Sequence, residues 1–143
     1  MIAPNPTISN ADLCVADLMT IDPITVAIGA TIDEAEDLMR RHRVSGLPVV
    51  DDAGRLIGVI SQSDILYLDV PAVRALIRQR EHVVRVGEVM SSPPLVIDSN
   101  AAVRDAAVRM QAEQVHRLVA IDDHGRPRGV ISAMDFVALA AEG

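Results

Sequence analysis

Two short strings in this chain have residue types and spacing that could do chemistry: Gly58-x-x-Ser61-x-x-Asp64 and Gly129-x-x-Ser132-x-x-Asp135. A serine that ends a strand and starts a helix puts backbone N–H groups and the positive end of the helix dipole where a phosphate is favoured. An aspartate three residues on can accept hydrogen bonds from both hydroxyls of a ribose, charge-assisted bonds worth roughly 1.5–3 kcal/mol each. The same spacing is also an ordinary helix N-cap with an acidic residue in its first turn, which needs no ligand at all. Spacing alone leaves both readings open.

What is missing narrows the chemistry further. All 13 basic residues are Arg, so the chain has no lysine for a Walker-type phosphate loop or a Schiff base. A net charge of −7 and an aromatic set limited to Tyr67 and Phe136 exclude a surface built for nucleic acid. His42, His82, His116 and His124 lack metal-ligand spacing, and Cys14 alone makes neither an internal disulfide nor a paired-thiolate zinc site. Cys14 is expected as a small buried hydrophobe. There is no G-x-S-x-G nucleophile elbow. The apolar runs are too short and too often charged to span a bilayer, and the opening MIAPNPTISN does not read as a leader, so the expectation is a cytoplasmic protein without a membrane partner.

The elements that must hold the two strings come in duplicate. Residues from Val15 align with residues from Val86 at an offset of about 71 without a gap, and roughly a third of about 54 positions are identical. Met19 matches Met90, Pro23 matches Pro94, Met39 matches Met110, and DDAGRLIGVISQSD matches DDHGRPRGVISAMD. Each copy runs from a short apolar segment through a Pro-containing turn to an extended stretch, then a helix, a hairpin turning at Gly54 or Gly125, and a closing helix. Thr31 and Glu34 form a capping-box pattern, with Ile32, Ala35, Leu38 and Met39 on one helical face and Val103, Ala106, Ala107 and Met110 in the corresponding places. Arg40, Arg41, His42 and Arg43 read as a solvated helix end. Pro71 opens a helix in the connector.

The expected fold is therefore α/β (α+β): two β-α-β-β-α repeats packed sheet against sheet about a pseudo-twofold axis. The boundaries are a tail over 1–14, repeat one over 15–68, a linker helix over 69–85 and repeat two over 86–143. One unit of about 55 residues buries too little surface to stand comfortably alone. The closing helices carry Ile65, Leu66, Tyr67 and Leu68, or Phe136, Val137 and Leu139, and helices apolar nearly all round need more cover than one chain supplies. A homodimer is expected.

Repeat order and local strings, HRVSGLPVVDDAGRLIGVISQSDIL above all, resemble the cystathionine β-synthase (CBS) domain family, whose tandem pairs are called Bateman modules. The resemblance covers about Val15 to Ala140. It implies a free-standing regulatory module, not an enzyme, that binds an adenosine-containing small molecule such as AMP, ADP, ATP or S-adenosylmethionine between its repeats and signals to an effector protein the sequence does not name. No cofactor is required; the nucleotide is a regulatory ligand. A constitutive scaffold with empty sites is the alternative. By position, Thr20, Ile21, Pro23, Ile24, Val44 and Ser45 would face a ligand held by Val130, Ser132 and Asp135. Ser91, Ser92, Pro94, Leu95 and Val115 would face one held by Ser61 and Asp64. The repeats differ where copy one has Ser45 and Gly46 and copy two His116 and Arg117. Symmetry would set His116 beside Asp64, but the extra charge of His116 and Arg117 is assigned to the Asp135 pocket, with Arg117 forking onto a phosphate or, failing that, making a surface salt bridge.

Overall fold

The element order expected of each repeat is present twice in the computed structural model, which describes residues 12–142. Repeat one contributes α1 (Val15–Leu18), β1 (Thr20–Ile21), β2 (Val26–Ala27), α2 (Ile32–His42), β3 (Gly46–Val50), β4 (Leu56–Ser61) and α3 (Gln62–Leu66). The connector is a 3-10 turn over Tyr67–Asp69 followed by α4 (Pro71–Gln79), with Pro71 in the first turn where its missing N–H costs nothing. Repeat two contributes α5 (Val86–Val89), β5 (Val96–Asp98), α6 (Val103–Ala112), β6 (Arg117–Ile121), β7 (Pro127–Ser132) and α7 (Ala133–Glu142).

Local chemistry accounts for the two longer repeat helices. Thr31 caps α2 by accepting from the Glu34 N–H at 3.2 Å, the forward half of a capping box without the return bond from Glu34. Ile32, Ala35 and Met39 are buried along one face, and Arg43, in the left-handed region at φ 55°, ends the helix. Arg40 and Arg41 both pair with Asp37 on the solvent side, as suits a solvated C-terminal turn. In α6, Val103, Ala106 and Met110 are buried, whereas Ala107, expected on that face, is exposed. A methyl group has too little apolar surface to set the helix's rotation against the longer side chains beside it.

The chain forms two compact units whose boundaries cut across the repeats. Among the described residues, one is 12–23 joined to 95–142; the other is Ile24–Pro94. In the first, the sheet runs β1-β7-β6-β5, with β1 antiparallel on β7 and β5 parallel to β6. Val15, Ala106, Met110, Leu118, Ala120 and Ile131 form its core. In the second, the sheet runs β2-β3-β4, and Ser91 makes an antiparallel bridge to Val59 on the outer edge of β4. Its core includes Ile32, Met39, Leu47, Val49, Ile60 and Val86. Each unit thus completes itself with the leading segment of the other repeat.

Backbone hydrogen bonds fasten these borrowed segments in parallel ways. The N–H groups of Val15 and Ala16 donate to the carbonyls of Ala101 and Ser99, and Val103 N–H donates to Leu13 O. Correspondingly, Val86 and Gly87 donate to Ala30 and Ile28, and Ile32 N–H donates to Val84 O. Cys14 is half-buried, not the fully buried hydrophobe expected, because its place just ahead of α1 turns Sγ toward Asp17 Oδ2 at 3.3 Å.

Both hairpins turn on the same device. Asp51 Oδ1 accepts from the Ala53 and Arg55 N–H groups, and Asp122 Oδ1 from those of His124 and Arg126, with Gly54 and Gly125 at φ 81° and 75°. The N–H of Arg55 holds the Asp51 carboxyl below the usual carboxylate range, and that of Arg126 does the same for Asp122.

Two outcomes follow from this packing. Leu47→Ala, at a fully buried site, should cost about 2–5 kcal/mol in urea unfolding, whereas Val108→Ala, at a site 60% exposed, should stay within about 0.5 kcal/mol. A carboxyl whose folded pKa is depressed stabilises the fold fully above its unfolded pKa of about 3.9 and ceases to as pH falls through the lower folded value. Asp122→Asn should therefore flatten the acid limb of stability below about pH 4 and leave its shape at neutral pH unchanged.

Candidate functional site

Each unit positions one Ser-x-x-Asp string at the junction of its last strand and closing helix. In the Ile24–Pro94 unit, Asp64 Oδ2 accepts from the Ser61 backbone N–H at 2.9 Å and from Ser61 Oγ at 3.1 Å, while the Asp64 N–H donates back to Ser61 Oγ at 3.3 Å. In the other unit, Asp135 Oδ2 accepts from the Ser132 N–H at 2.7 Å and from its Oγ at 3.2 Å. Capping is therefore reciprocal at Ser61, whereas at Ser132 only the aspartate's half is made, with no bond from the Asp135 N–H to Ser132 Oγ among the described residues. Capping consumes only one carboxylate oxygen: among the described residues, Oδ1 of Asp64 and of Asp135 accepts no hydrogen bond from the chain. Both aspartates are half-buried.

The helix starts offer fewer free donors than the sequence suggested. Gln62 N–H, at the first position of α3, donates to Ser45 O at 2.9 Å, and Ala133 N–H, at the first position of α7, donates to His116 O at 2.8 Å. These bonds bring Ser45 beside the Ser61 cap and His116 beside the Ser132 cap, the former pairing within the Ile24–Pro94 unit. Strand register adds the next residue: Gly46 lies opposite Ser61 and Arg117 opposite Ser132. Arg117 is exposed, and among the described residues no carboxylate pairs with it, so the surface salt bridge considered for it is not made.

The leading segments supply the other side of each arrangement. Thr20 lies opposite Val130 and Ile21 opposite Gly129, and Asp22 N–H donates to Arg128 O at 3.3 Å. Ile21 is 63% exposed for a large apolar side chain. Pro23 closes this segment in the same unit. In the Ile24–Pro94 unit, Ser91 exchanges both backbone hydrogen bonds with Val59, Ser92 Oγ donates to Ile57 O at 3.0 Å, and Pro94 ends the segment. Thr20, Ile21, Pro23, His116, Arg117, Val130, Ser132 and Asp135 thus share one unit, and Ser61, Asp64, Ser91, Ser92 and Pro94 share the other.

The remaining expected residues fall elsewhere. Ile24 and Val44 pack on the core of the Ile24–Pro94 unit, which also holds Ser45, and Leu95 and Val115 pack on the core of the other. Arg128 was not anticipated, although the alignment carries a signal for it: it stands where repeat one has Ile57, two strand positions from Val130 and four from Ser132. Alternation places Val130 and Ser132 on one sheet face, but Arg128 is the extra residue where the β6–β7 register shifts, and it pairs with Asp122 at 3.8 Å. Two hollows of about 490 and 540 Å³ in the Ile24–Pro94 unit, sharing Glu36 and Asp69, contain none of the expected residues. No metal-binding cluster and no helix long and apolar enough to cross a membrane occur among the described residues.

Comparison with known proteins places this geometry. The chain is 31% identical to CBSX2 solved in complex with AMP, with a TM-score of 0.77 and coverage of 90% of this chain and 96% of that one. CBSX2 from Arabidopsis thaliana, in a further structure, is 28% identical with a TM-score of 0.74, covering 90% of this chain and 94% of that one. The inosine-5'-monophosphate dehydrogenase of Mycobacterium leprae is 33% identical over 120 residues, 83% of this chain; the chain spans only 21% of that enzyme's length. The CBS domain family matches residues 15–70 and again 86–142, and with two matches that together take in most of its length, the chain belongs to the CBS domain family as a tandem pair.

Proposed function

We propose that this chain is a regulatory module that binds an adenine nucleotide of the AMP, ADP or ATP class and passes its occupancy to a partner protein. The observation that carries the reading is the division of labour within each aspartate. One oxygen closes the cap, which fixes the side chain, and the other is left to accept ribose hydroxyls. The likeness to CBSX2, which is solved with AMP, supports the same ligand class.

Within this reading Asp135, Ser132 and Val130, with the segment Thr20–Pro23, form one ribose and base site. Asp64, Ser61 and the segment from Ser91 to Pro94 form the second. The phosphate goes to Arg117, with His116 beside it, because the first N–H of each closing helix is already committed to a carbonyl. The reading assigns binding and signalling, with no chemical step and no further cofactor. Exposed Leu66 at the end of α3, Tyr67 in the 3-10 turn that follows it and not in the closing helix expected to carry it, and Met134 and Val137 on α7 support a homodimer and a surface for the effector.

Native mass spectrometry in the presence of AMP, ADP, ATP or S-adenosylmethionine, with GMP as control, reads ligand mass and subunit number together. A dimer carrying adenine nucleotide but not GMP is expected; an apo dimer under every condition would favour the scaffold instead. Calorimetry then separates the sites. Arg117 should favour its own pocket by roughly 1.5–3 kcal/mol, about 10- to 150-fold. The tight phase should therefore survive Asp64→Ala and vanish in Asp135→Ala, and Arg117→Ala should bring the two sites close to equal; the reverse pattern would assign the phosphate to the wrong repeat.

A further inference from the structure

The two motif glycines, Gly58 and Gly129, carry no part of the ligand reading above, yet neither could bear a side chain. A Cβ on Gly129 would lie 2.6 Å from Thr20 O and 2.6 Å from Met19 Sδ. A Cβ on Gly58 would lie 2.9 Å from Ser91 O and 2.6 Å from Met90 Sδ. In both units the atoms in the way belong to the leading segment of the other repeat, and in both the nearest oxygen is backbone, which cannot swing aside as a long side chain can. The segment that runs over each glycine is the one holding Thr20–Pro23 or Ser91–Pro94.

We propose that Gly58 and Gly129 are positioning residues: each is the bare floor that seats a strap from the opposite repeat, and each sets nucleotide affinity through that strap. The ligand half of this rests on the function proposed above; the seating half does not. Its distinctive consequence is a crossed pattern. A methyl group added in repeat two loosens residues of repeat one, and a methyl group added in repeat one loosens residues of repeat two, although the strap of its own repeat, Ser91–Pro94, lies far nearer Gly129 in the sequence than Thr20–Pro23 does.

The straps are held by few bonds, so their release can be read apart from global unfolding. In Gly58→Ala, amide hydrogen exchange at Ser91 and Val59 should speed up by about tenfold or more while Thr20–Asp22 is unchanged; Gly129→Ala should do the reverse. AMP affinity should fall about tenfold at the site whose strap is loosened and hold at the other. Ser91→Pro is a second route to the same state. It removes the N–H that donates to Val59 O at 2.9 Å without adding a Cβ over the glycine, and Met90, at φ −57° and ψ 154°, already has the backbone that precedes proline. It should reproduce the faster exchange at Val59 with Thr20–Asp22 unchanged, position 91 then having no amide to read.

Loosening of the mutated repeat's own leading segment would overturn the proposal, as would lost AMP affinity with both straps still protected, which would make the glycine a direct ligand contact. Failure of both Gly58→Ala and Ser91→Pro to fold would also overturn it, by making the strap a part of the core. If the parent protein binds no AMP, the function proposed above falls, while the crossed exchange pattern still decides whether the straps are seated as described.

Discussion

A β-α-β-β-α repeat of this size leaves two things unfinished: the outer edge of its last strand is unpaired, and one end of its core is open to water. Here both are closed by a segment from the other repeat. Val15 and Val86, each with no exposed surface, plug the cores, and Thr20–Ile21 and Ser91 pair with the edges of β7 and β4. The donors of the short helices α1 and α5 find carbonyls at Ala101, Ser99, Ala30 and Ile28, so the plug satisfies its own backbone as it buries its side chain. Neither compact unit can be complete without a piece of both repeats.

The same constraint brings the candidate site together. The cap at the start of each closing helix belongs to one repeat, and the strap across the neighbouring strand edge to the other. A tight turn stabilised by Asp51 or Asp122 sets the register of the hairpin, and the register sets which residue faces the cap serine. Gly46 takes that position in one unit and Arg117 in the other, so two nearly identical backbones present different charge. An exposed guanidinium without a carboxylate partner keeps its donors for an incoming anion.

Much of this was legible in the sequence because it is local. The repeat offset, the turn glycines, the Thr31 cap, proline at the head of α4 and the buried stripe of α2 each follow from neighbours within a few residues. The exchange of leading segments came only from the family resemblance, which set Thr20–Pro23 against Asp135 and Ser91–Pro94 against Asp64. The two segments are near copies, so Val15 and Val86 satisfy the same pattern in either core, and periodicity carries no mark of which repeat a segment joins. Spacing also concealed the fate of the helix-start N–H groups, since the carbonyls of Ser45 and His116 that take them up lie 17 residues upstream in each repeat, a relation only the fold creates. Ala107 and Cys14 were misjudged for a simpler reason: small side chains weigh little in setting how an element turns toward its core.

The reading of the site comes down to whether Oδ1 of the cap aspartate accepts from ribose hydroxyls. Calorimetry of the Asp64→Ala protein with AMP, 2′-deoxy-AMP and 3′-deoxy-AMP tests this at the Asp135 site alone. Each hydrogen bond to a carboxylate is worth roughly 1.5–3 kcal/mol, so each deoxy analogue should bind about tenfold or more weakly than AMP, with adenine and phosphate unchanged. Equal affinity for all three would contradict the assignment and return Ser132 and Asp135 to the role of a helix cap.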